Sequence, residues 1–459
     1  MNSGKHGGSF RDPNGFIFFK EGILYRQVNE RCRDAFDALM ESGLYDDLVG
    51  AELLIDHEEV DQSLAASADA YKVLRPRRVP FVSYPHEWCF SQLKTAALIT
   101  LEIQKRALER GMSLKDCSAF NVQFVGGKPV FIDTLSFERL REGEPWVAYR
   151  QFCQHFLAPL ALMSNTDVRL NQLLRVYIDG VPLDLASSLL PFRTRMKLPL
   201  LAHIHLHARF QRRYEGRSEK IRRRGSVGRT ALLGIVDSLE GAVRSLKLAP
   251  RRTEWGEYYE DTNYTNNGLG SKERLVDAFL RGVEPGTVWD LGANTGRFSR
   301  VAAAQGRYVV SFDIDPAAVE KNYLSCIEEG RRDILPLLLD LANPTCGMGW
   351  AGAERMSLRE RGPAGTVLAL ALIHHLAISN NVPFGRIAEF LSTICGTLIV
   401  EFVPKDDSQV RRLFVCREDV FDDFTQKHFE EEFGRFFRIV RAERIVDSLR
   451  TLYLMRKEG

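Results

Sequence analysis

The second half of the chain alternates short apolar runs with stretches at helical spacing. Apolar runs cover Thr287–Leu291, Tyr308–Phe312, Ile334–Leu339, Thr366–Leu372 and Leu398–Phe402. Helix-spaced segments lie between them, at Phe298–Gln305 and at Ala317–Glu329, the latter opened by Pro316 at its first turn. This alternation predicts a parallel sheet with helices on both faces. A helix over Ser271–Leu280 leads into the first strand, and Phe437–Ile445 with Thr451–Met455 reads as a closing antiparallel hairpin. Pro336 weakens the third run as a strand, because proline donates nothing to a ladder.

The first half is more mixed. Pro13-Asn14-Gly15 signals a turn before Phe16-Ile17-Phe18-Phe19, and Lys20-Glu21-Gly22 turns the chain back, so a hairpin is expected over Gly15–Val28. A helix over Arg31–Leu48 would put Ala35, Phe36, Leu39 and Met40 on one face, and Val79–Tyr84 reads as a strand before a long helix, Phe90–Arg110. Gly126-Gly127 predicts a second hairpin, with Asn121 opening one strand and Asp133 closing its partner. The pattern is then helical to Leu190. The expected organisation is an α+β domain over residues 1–145, a helical, basic connector over 146–254, and an α/β domain over 255–459.

Composition alters this picture little. A chain of 459 residues is too long for one typical core. Hydrophobic residues at 45% and charged residues at 27% fit a soluble globular protein, and a net charge of +2 gives no global reason to expect a polyanion as partner. Basic charge is local, in Arg209–Arg229 with Arg212-Arg213 and Arg222-Arg223-Arg224, and this connector is a candidate for contact with an anionic partner. Its only aromatics are Phe210 and Tyr214, so there is no clear nucleic-acid signature. Eight scattered cysteines without a C-x-x-C pair argue against a zinc module or a disulfide scaffold. The polar start lacks the apolar core of a secretory signal, and the most apolar windows, Phe156–Met163 and Val367–Ile373, are too short to span a membrane. A cytoplasmic protein is expected. His203, His205 and His207 would share a face on a strand and could bind a metal, whereas on a helix only His203 and His207 align; polar-face histidines are the alternative.

Candidate chemistry concentrates where the first apolar run ends. Asp290-Leu291-Gly292-Ala293-Asn294-Thr295-Gly296 places two glycines around three residues at the carboxyl end of a predicted strand, where open α/β sheets bind ligands. Both glycines permit unusual dihedrals and close approach of a ligand. Asp313 ends the second strand about twenty residues on, an interval suited to a ribose-binding acid. The spacing differs from the dinucleotide G-x-G-x-x-G. The turn resembles motif I of the class I S-adenosylmethionine-dependent methyltransferases, and Asp313 resembles their second acidic motif. This resemblance implies a Rossmann-like, seven-stranded sheet and S-adenosylmethionine as cofactor, with Asp290, Gly292, Asn294, Gly296 and Asp313 binding it. It also implies Asp340 near the adenine, and Tyr258, Tyr264 and Lys272 either closing on the methionine end or packing a seam. Methyl transfer is an in-line displacement helped mostly by alignment, but a hydroxyl acceptor also needs a base. His374 or His375 follows the fourth strand, where such enzymes commonly place catalytic groups, and Glu401 could orient it; lining or packing is the alternative.

A second constellation lies in the first half. Asp116, Asn121 five residues on, then the Gly126-Gly127 hairpin and Asp133 resemble the catalytic loop and metal-binding Asp of protein kinases and related small-molecule phosphotransferases. The resemblance implies a kinase-like fold binding ATP and magnesium, with Asp116 as base and Asn121 and Asp133 on the metal. The first hairpin carries neither a G-x-G-x-x-G loop nor a V-A-I-K lysine; Arg26 or Lys20 could substitute for the lysine. The alternative is that Asp116 and Asn121 cap a loop and Asp133 ends a strand.

Tyr84-Pro85-His86-Glu87-Trp88, the Asp116–Asp133 block, Asp340–Trp350, Glu354-Arg355, His374-His375-Leu376, Asn380-Asn381-Val382-Pro383 and Glu401–Lys405 together are similar to a bacterial family of two-part methyltransferases that includes the rhizobial host-specific nodulation protein NoeA. The resemblance spans most of the chain and implies a role in nodulation, through modification of a carbohydrate or signal molecule. A regulatory nucleotide-binding first half, or a non-catalytic scaffold, are the alternatives.

Overall fold

In the structure, a computed structural model that describes residues 4–209, 227–248, 264–414 and 420–458, the Gly15–Val28 hairpin lies inside a larger antiparallel sheet. Tyr258 and the arginines at 212, 213 and 222–224 fall outside the described residues. The sheet has five strands in the order β1-β2-β3-β5-β4: β1 (Gly4–Lys5), β2 (Gly15–Lys20), β3 (Ile23–Asn29), β4 (His57–Val60) and β5 (Ala70–Pro76). Side chains alternate across its pleat. Phe16, Phe18, Tyr25 and Val73 form one apolar cluster, while Val28 and Leu74 join Cys32, Phe36 and Leu135 in another.

Two expectations fail here for local reasons. The single helix over Arg31–Leu48 is two helices, Arg33–Glu41 and Leu44–Gly50, because Gly43 takes φ 68° between them. Val79–Tyr84 is not a strand. The Ser83 N–H donates to Gln123 Oε1 at 2.8 Å and its carbonyl accepts from Gln123 Nε2 at 2.9 Å, so a side-chain amide takes the place of a neighbouring strand. The long helix is Phe90–Glu109. Beyond it, β6 (Met112–Leu114) pairs with β9 (Phe137–Arg139), and β7 (Val122–Val125) pairs with β8 (Lys128–Phe131) around the Gly126-Gly127 turn. Helices Ala158–Asn165, Leu183–Leu189 and Arg229–Ser245 follow.

The chain divides into two compact units, residues 1–250 with Met348–Arg355, and residues 251–347 with 356–459. The helical segment expected as a connector therefore counts with the first unit. Its histidines are structural there. His203 bonds Tyr149 and Ser238, and His205 bonds Ser187 and Thr194, through both ring nitrogens in each case. Among the described residues no group of three or more His, Cys, Asp or Glu could hold a metal ion, and no helix is long and apolar enough to cross a membrane.

The second unit is built on seven strands in the order β12-β11-β10-β13-β14-β16-β15. These are β10 (Val288–Leu291), β11 (Val309–Asp313), β12 (Ile334–Leu338), β13 (Ala364–Ala369), β14 (Cys395–Phe402), β15 (Phe437–Arg444) and β16 (Thr451–Lys457). The first five are parallel, and β16 runs antiparallel between β14 and β15. Pro336 is tolerated because β12 is an edge strand. Val288, Val309, Leu368, Ile399 and Leu454 carry the core from strand to strand beneath Val276, Phe279 and Leu280 of the helix Asn266–Arg281. This is the seven-stranded, Rossmann-like α/β sheet expected from the sequence, and it places the carboxyl ends of β10, β11, β12 and β13 along one rim.

Replacing Gln123 by Leu leaves both backbone groups of Ser83 unpaired in a buried place. It should lower the stability of the first unit by about 2–4 kcal/mol. Hydrogen exchange of the Val122–Val125 amides checks this, with faster exchange expected in the variant.

Candidate functional site

At that rim lies a cavity of about 370 Å³, lined by Tyr264, Lys272, Asp290, Gly292, Asn294, Asp313, Asp340 and His375 among others. The turn after β10 takes positive φ at Gly292 (75°), Asn294 (50°) and Gly296 (79°), a run that lets the backbone curl under the cavity. The two glycines have different tasks. Gly292 lines the cavity, whereas Gly296 packs outward: a Cβ there would stand 2.4 Å from Asn322 Oδ1 on the helix Pro316–Glu328. Gly296, expected against the ligand, is a packing residue.

The carboxylates on the rim are fixed by the fold. Asp313 accepts from the Asn294 N–H at 2.7 Å and the Asp315 N–H at 2.8 Å, which ties the end of β11 to the glycine turn. Asp290 accepts from the Ser299 hydroxyl at 2.7 Å. Burial pushes both up to about 6 from an ordinary 3.8, against the hydrogen bonds that favour the charged form. Asp340 is half-buried beyond β12 and accepts from the Ala342 N–H.

Glu401 does not orient a histidine, contrary to expectation. It is fully buried at the end of β14. Lys272 lies 2.6 Å away, the Ala371 N–H donates to it at 2.9 Å, Tyr264 donates its hydroxyl, and the Arg450 guanidinium stands at 3.4 Å. Arg450 in turn holds Asp407 at 2.7 Å and 3.1 Å. Burial opposes the charge on Glu401, but the two cations hold its carboxyl below the usual range; burial lowers Lys272. The two histidines also part company. His374 is 2% exposed with its Nδ1 unbonded and lies off the cavity, while half-buried His375 lines it. Their ring centroids are 4.2 Å apart. Burial takes His374 well below its ordinary value and His375 down to about 4. Arg450, on which this arrangement hangs, had no signal in the sequence.

The first unit has a cavity of its own, about 250 Å³, and it gathers Arg26, Asp116, Asn121 and Asp133. Arg26, from β3, is ion-paired with Asp133, to which Ser136 also donates; Lys20 does not line this cavity. Asp116 accepts from the Ser118 N–H at 3.0 Å and Gln151 Nε2 at 2.8 Å, and Asn121 donates to Ser136 at 3.3 Å. Burial raises Asp116; at Asp133 burial also opposes the charge, but the Arg26 charge and the hydrogen bonds from Ser136, Arg26 and the Leu135 N–H together lower it. Several contributors were not anticipated. Gly8, Ser9 and Arg11 enter from the β1–β2 connection, for which Gly7-Gly8-Ser9 was the available signal. Glu354 and Arg355 complete the lining, with Arg11 bidentate on Glu354 at 2.7–3.0 Å.

No protein-family model matches the chain. The nodulation protein NoeA of Rhizobium meliloti (strain 1021) is 34% identical to it over 460 residues, 98% of this chain and 95% of that protein. Among solved structures, magnesium protoporphyrin IX methyltransferase ChlM from Synechocystis PCC 6803 with bound SAH is similar over 44% of this chain and 93% of its own, at 17% identity and a TM-score of 0.32. The N-methyltransferase NodS from Bradyrhizobium japonicum WM9 is similar over 42% and 98%, at 12% identity and a TM-score of 0.31.

Because Asp290 is raised in the fold, its contribution to stability is full below its unfolded value near 4 and is lost as pH rises through about 6. Asp290→Asn removes that charge and keeps an acceptor for Ser299. Its melting temperature should exceed wild type at pH 7.5, with the gain vanishing below pH 4; equal melting curves at pH 7.5 would contradict the burial argument.

Proposed function

The chain belongs to the family of the nodulation protein NoeA, and we propose that it is an S-adenosylmethionine-dependent methyltransferase using the cavity at the β10–β13 rim. One observation carries the proposal. Three carboxylates, Asp290, Asp313 and Asp340, line a largely apolar cavity whose only Lys or Arg among the described lining residues, Lys272, is neutralised by Glu401. Such a site disfavours phosphates and suits a cation that also carries hydroxyls. S-adenosylmethionine fits both requirements and, when bound, supplies a methyl group on a sulfonium.

The chain's own residues divide the remaining work. Asp313 lines the cavity with its carboxyl turned to ribose hydroxyls, and Gly292 leaves room for the ligand beside Leu372. Asp340 faces the adenine end, and Phe312 and Leu341 line the cavity with apolar surface. Tyr264 and Lys272, held by Glu401, close the methionine end. His375, neutral at physiological pH, accepts a hydrogen bond from the acceptor without adding positive charge beside the sulfonium. The acceptor is a hydroxyl- or amine-bearing carbohydrate or signal molecule of host-specific nodulation, a reading supported by the relative's name. Reaction in the cytoplasm agrees with the free cysteines Cys32, Cys89, Cys117, Cys153, Cys326, Cys346 and Cys395.

A second reading is favoured by the first unit's cavity. Asp116, Asn121, Asp133 and Arg26 meet there beneath a Gly-Ser segment, an arrangement suited to a nucleotide, with Asn121 and Asp133 holding magnesium and Asp116 as base. On this reading the first unit is a kinase-like phosphotransferase or a regulatory nucleotide-binding module.

Calorimetry should show S-adenosylmethionine binding that Asp313→Ala weakens at least tenfold. Binding should also weaken as pH falls through about 6, where Asp290 and Asp313 take up protons. No heat from the wild-type protein would refute the methyltransferase reading, and labelled S-adenosylmethionine in a cell extract then identifies the acceptor. The second reading requires a thermal shift with magnesium and ATP that disappears in Asp133→Ala; a wild-type protein that magnesium and ATP leave unshifted would refute it.

A further inference from the structure

In the first unit, a short 3-10 turn over Phe192–Met196 runs into the helical turn Leu198–Leu200 and holds large apolar side chains in solvent. Phe192 is 74% exposed, Met196 74% and Leu198 77%. Among the described residues only Trp350 is a comparably exposed aromatic, and it stands alone in its own segment. Scattered exposed apolar residues are ordinary, but three within seven positions form a feature that needs a partner.

The turn is held in place and is not slack. Thr194, its inward residue, is fully buried, donates to the Pro191 carbonyl at 2.7 Å and bonds His205 Nε2 at 2.9 Å. Arg193 donates to the Asn165 carbonyl and Lys197 to Asn165 Oδ1, both at 3.2 Å, which straps the turn to the end of the helix Ala158–Asn165. Its conformation therefore keeps Phe192, Met196 and Leu198 outward. Between them stand Arg193, Arg195 and Lys197, and Leu189–Leu201 contains no carboxylate. Further along, the sequence enters the basic stretch Arg209–Arg229.

We propose that this turn docks the protein on an anionic lipid surface, with Phe192, Met196 and Leu198 entering the boundary between headgroups and acyl chains while Arg193, Arg195 and Lys197 meet the lipid phosphates. Interleaved apolar tips and cations match that boundary, where one layer is anionic and the next apolar. Long basic side chains keep their charge at headgroup level while their stems follow the apolar tips inward. The alternatives fit less well. A twofold contact between copies of this chain would set the same three cations against each other. A nucleic acid would find a single stacking ring, Phe192, and no use for Met196 or Leu198.

The full chain should be sedimented with vesicles of phosphatidylcholine alone and of phosphatidylcholine containing phosphatidylglycerol. The wild-type protein is expected to bind the anionic vesicles at least tenfold more strongly and to lose that binding in high salt. Phe192→Ser, Met196→Ser and Leu198→Ser combined should weaken it at least tenfold, as should Arg193→Gln, Arg195→Gln and Lys197→Gln combined. Phe192, Met196 and Leu198 are exposed, so the apolar variant should retain the wild-type circular dichroism and melting temperature. The basic variant also loses the Arg193 and Lys197 bonds to Asn165, so Arg195→Gln alone, which leaves both bonds in place, should still weaken binding to anionic vesicles. The proposal is overturned if wild type ignores anionic vesicles, or if either variant binds them as well as wild type does. It is equally overturned if the apolar variant converts a dimer to a monomer, or if the turn proves necessary for binding RNA instead.

Discussion

The second unit depends on a buried ion cluster in which two cations and two anions cancel. Glu401 and Asp407 are met by Lys272 and Arg450, with the Tyr264 hydroxyl and the Ala371 N–H taking further positions on Glu401. Breaking one member would leave a buried charge uncompensated, which is why such a cluster behaves as a unit. Its members come from the helix before the sheet and the residue leading into it, the segment after β13, the end of β14 with the turn that follows it, and the connection between β15 and β16. Four separate stretches of chain are thereby fixed around one side of the cavity at the β10–β13 rim.

That cluster also decides the electrostatics of the cavity. Lys272 would otherwise be a phosphate-binding charge at its wall; paired with Glu401, it leaves Asp290, Asp313 and Asp340 to set the field. Keeping two carboxyls where burial raises them to about 6 is destabilising at neutral pH, on the order of 2–3 kcal/mol each if fully ionised. A fold tolerates such groups where they serve a ligand. A cationic, hydroxyl-bearing cofactor would offset the unfavourable burial.

The first unit shows the opposite solution. Asp133, half-buried, is held low by Arg26 and by hydrogen bonds, so its charge is already satisfied within the chain. Asp116 in the same cavity has only hydrogen bonds and is raised. Two carboxyls with pKa values pushed apart in one pocket is a pattern typical of sites that act on ligands.

Local sequence determined the elements whose signals are local. Period-two and period-3.6 patterning gave the β10–β14 alternation, the closing hairpin and the long helix from Phe90; glycine spacing gave the turn under the cavity, and Asp313 its place at a strand end. Where one residue's conformation depends on a distant partner, local pattern misled. Val79–Tyr84 has the composition of a strand, yet the Gln123 side chain satisfies Ser83 instead. Gly296 fits a ligand-facing glycine by spacing, yet its constraint is Asn322 on the next helix. Glu401 and the two histidines follow neighbouring strands, yet the carboxylate turned to Lys272 and Arg450, and only His375 faces the cavity. Long-range charge pairing has no period along the chain, so the sequence alone carries the scaffold and the glycine turn under the cavity. Which charges remain free to meet a ligand is decided only when the fold brings their partners together.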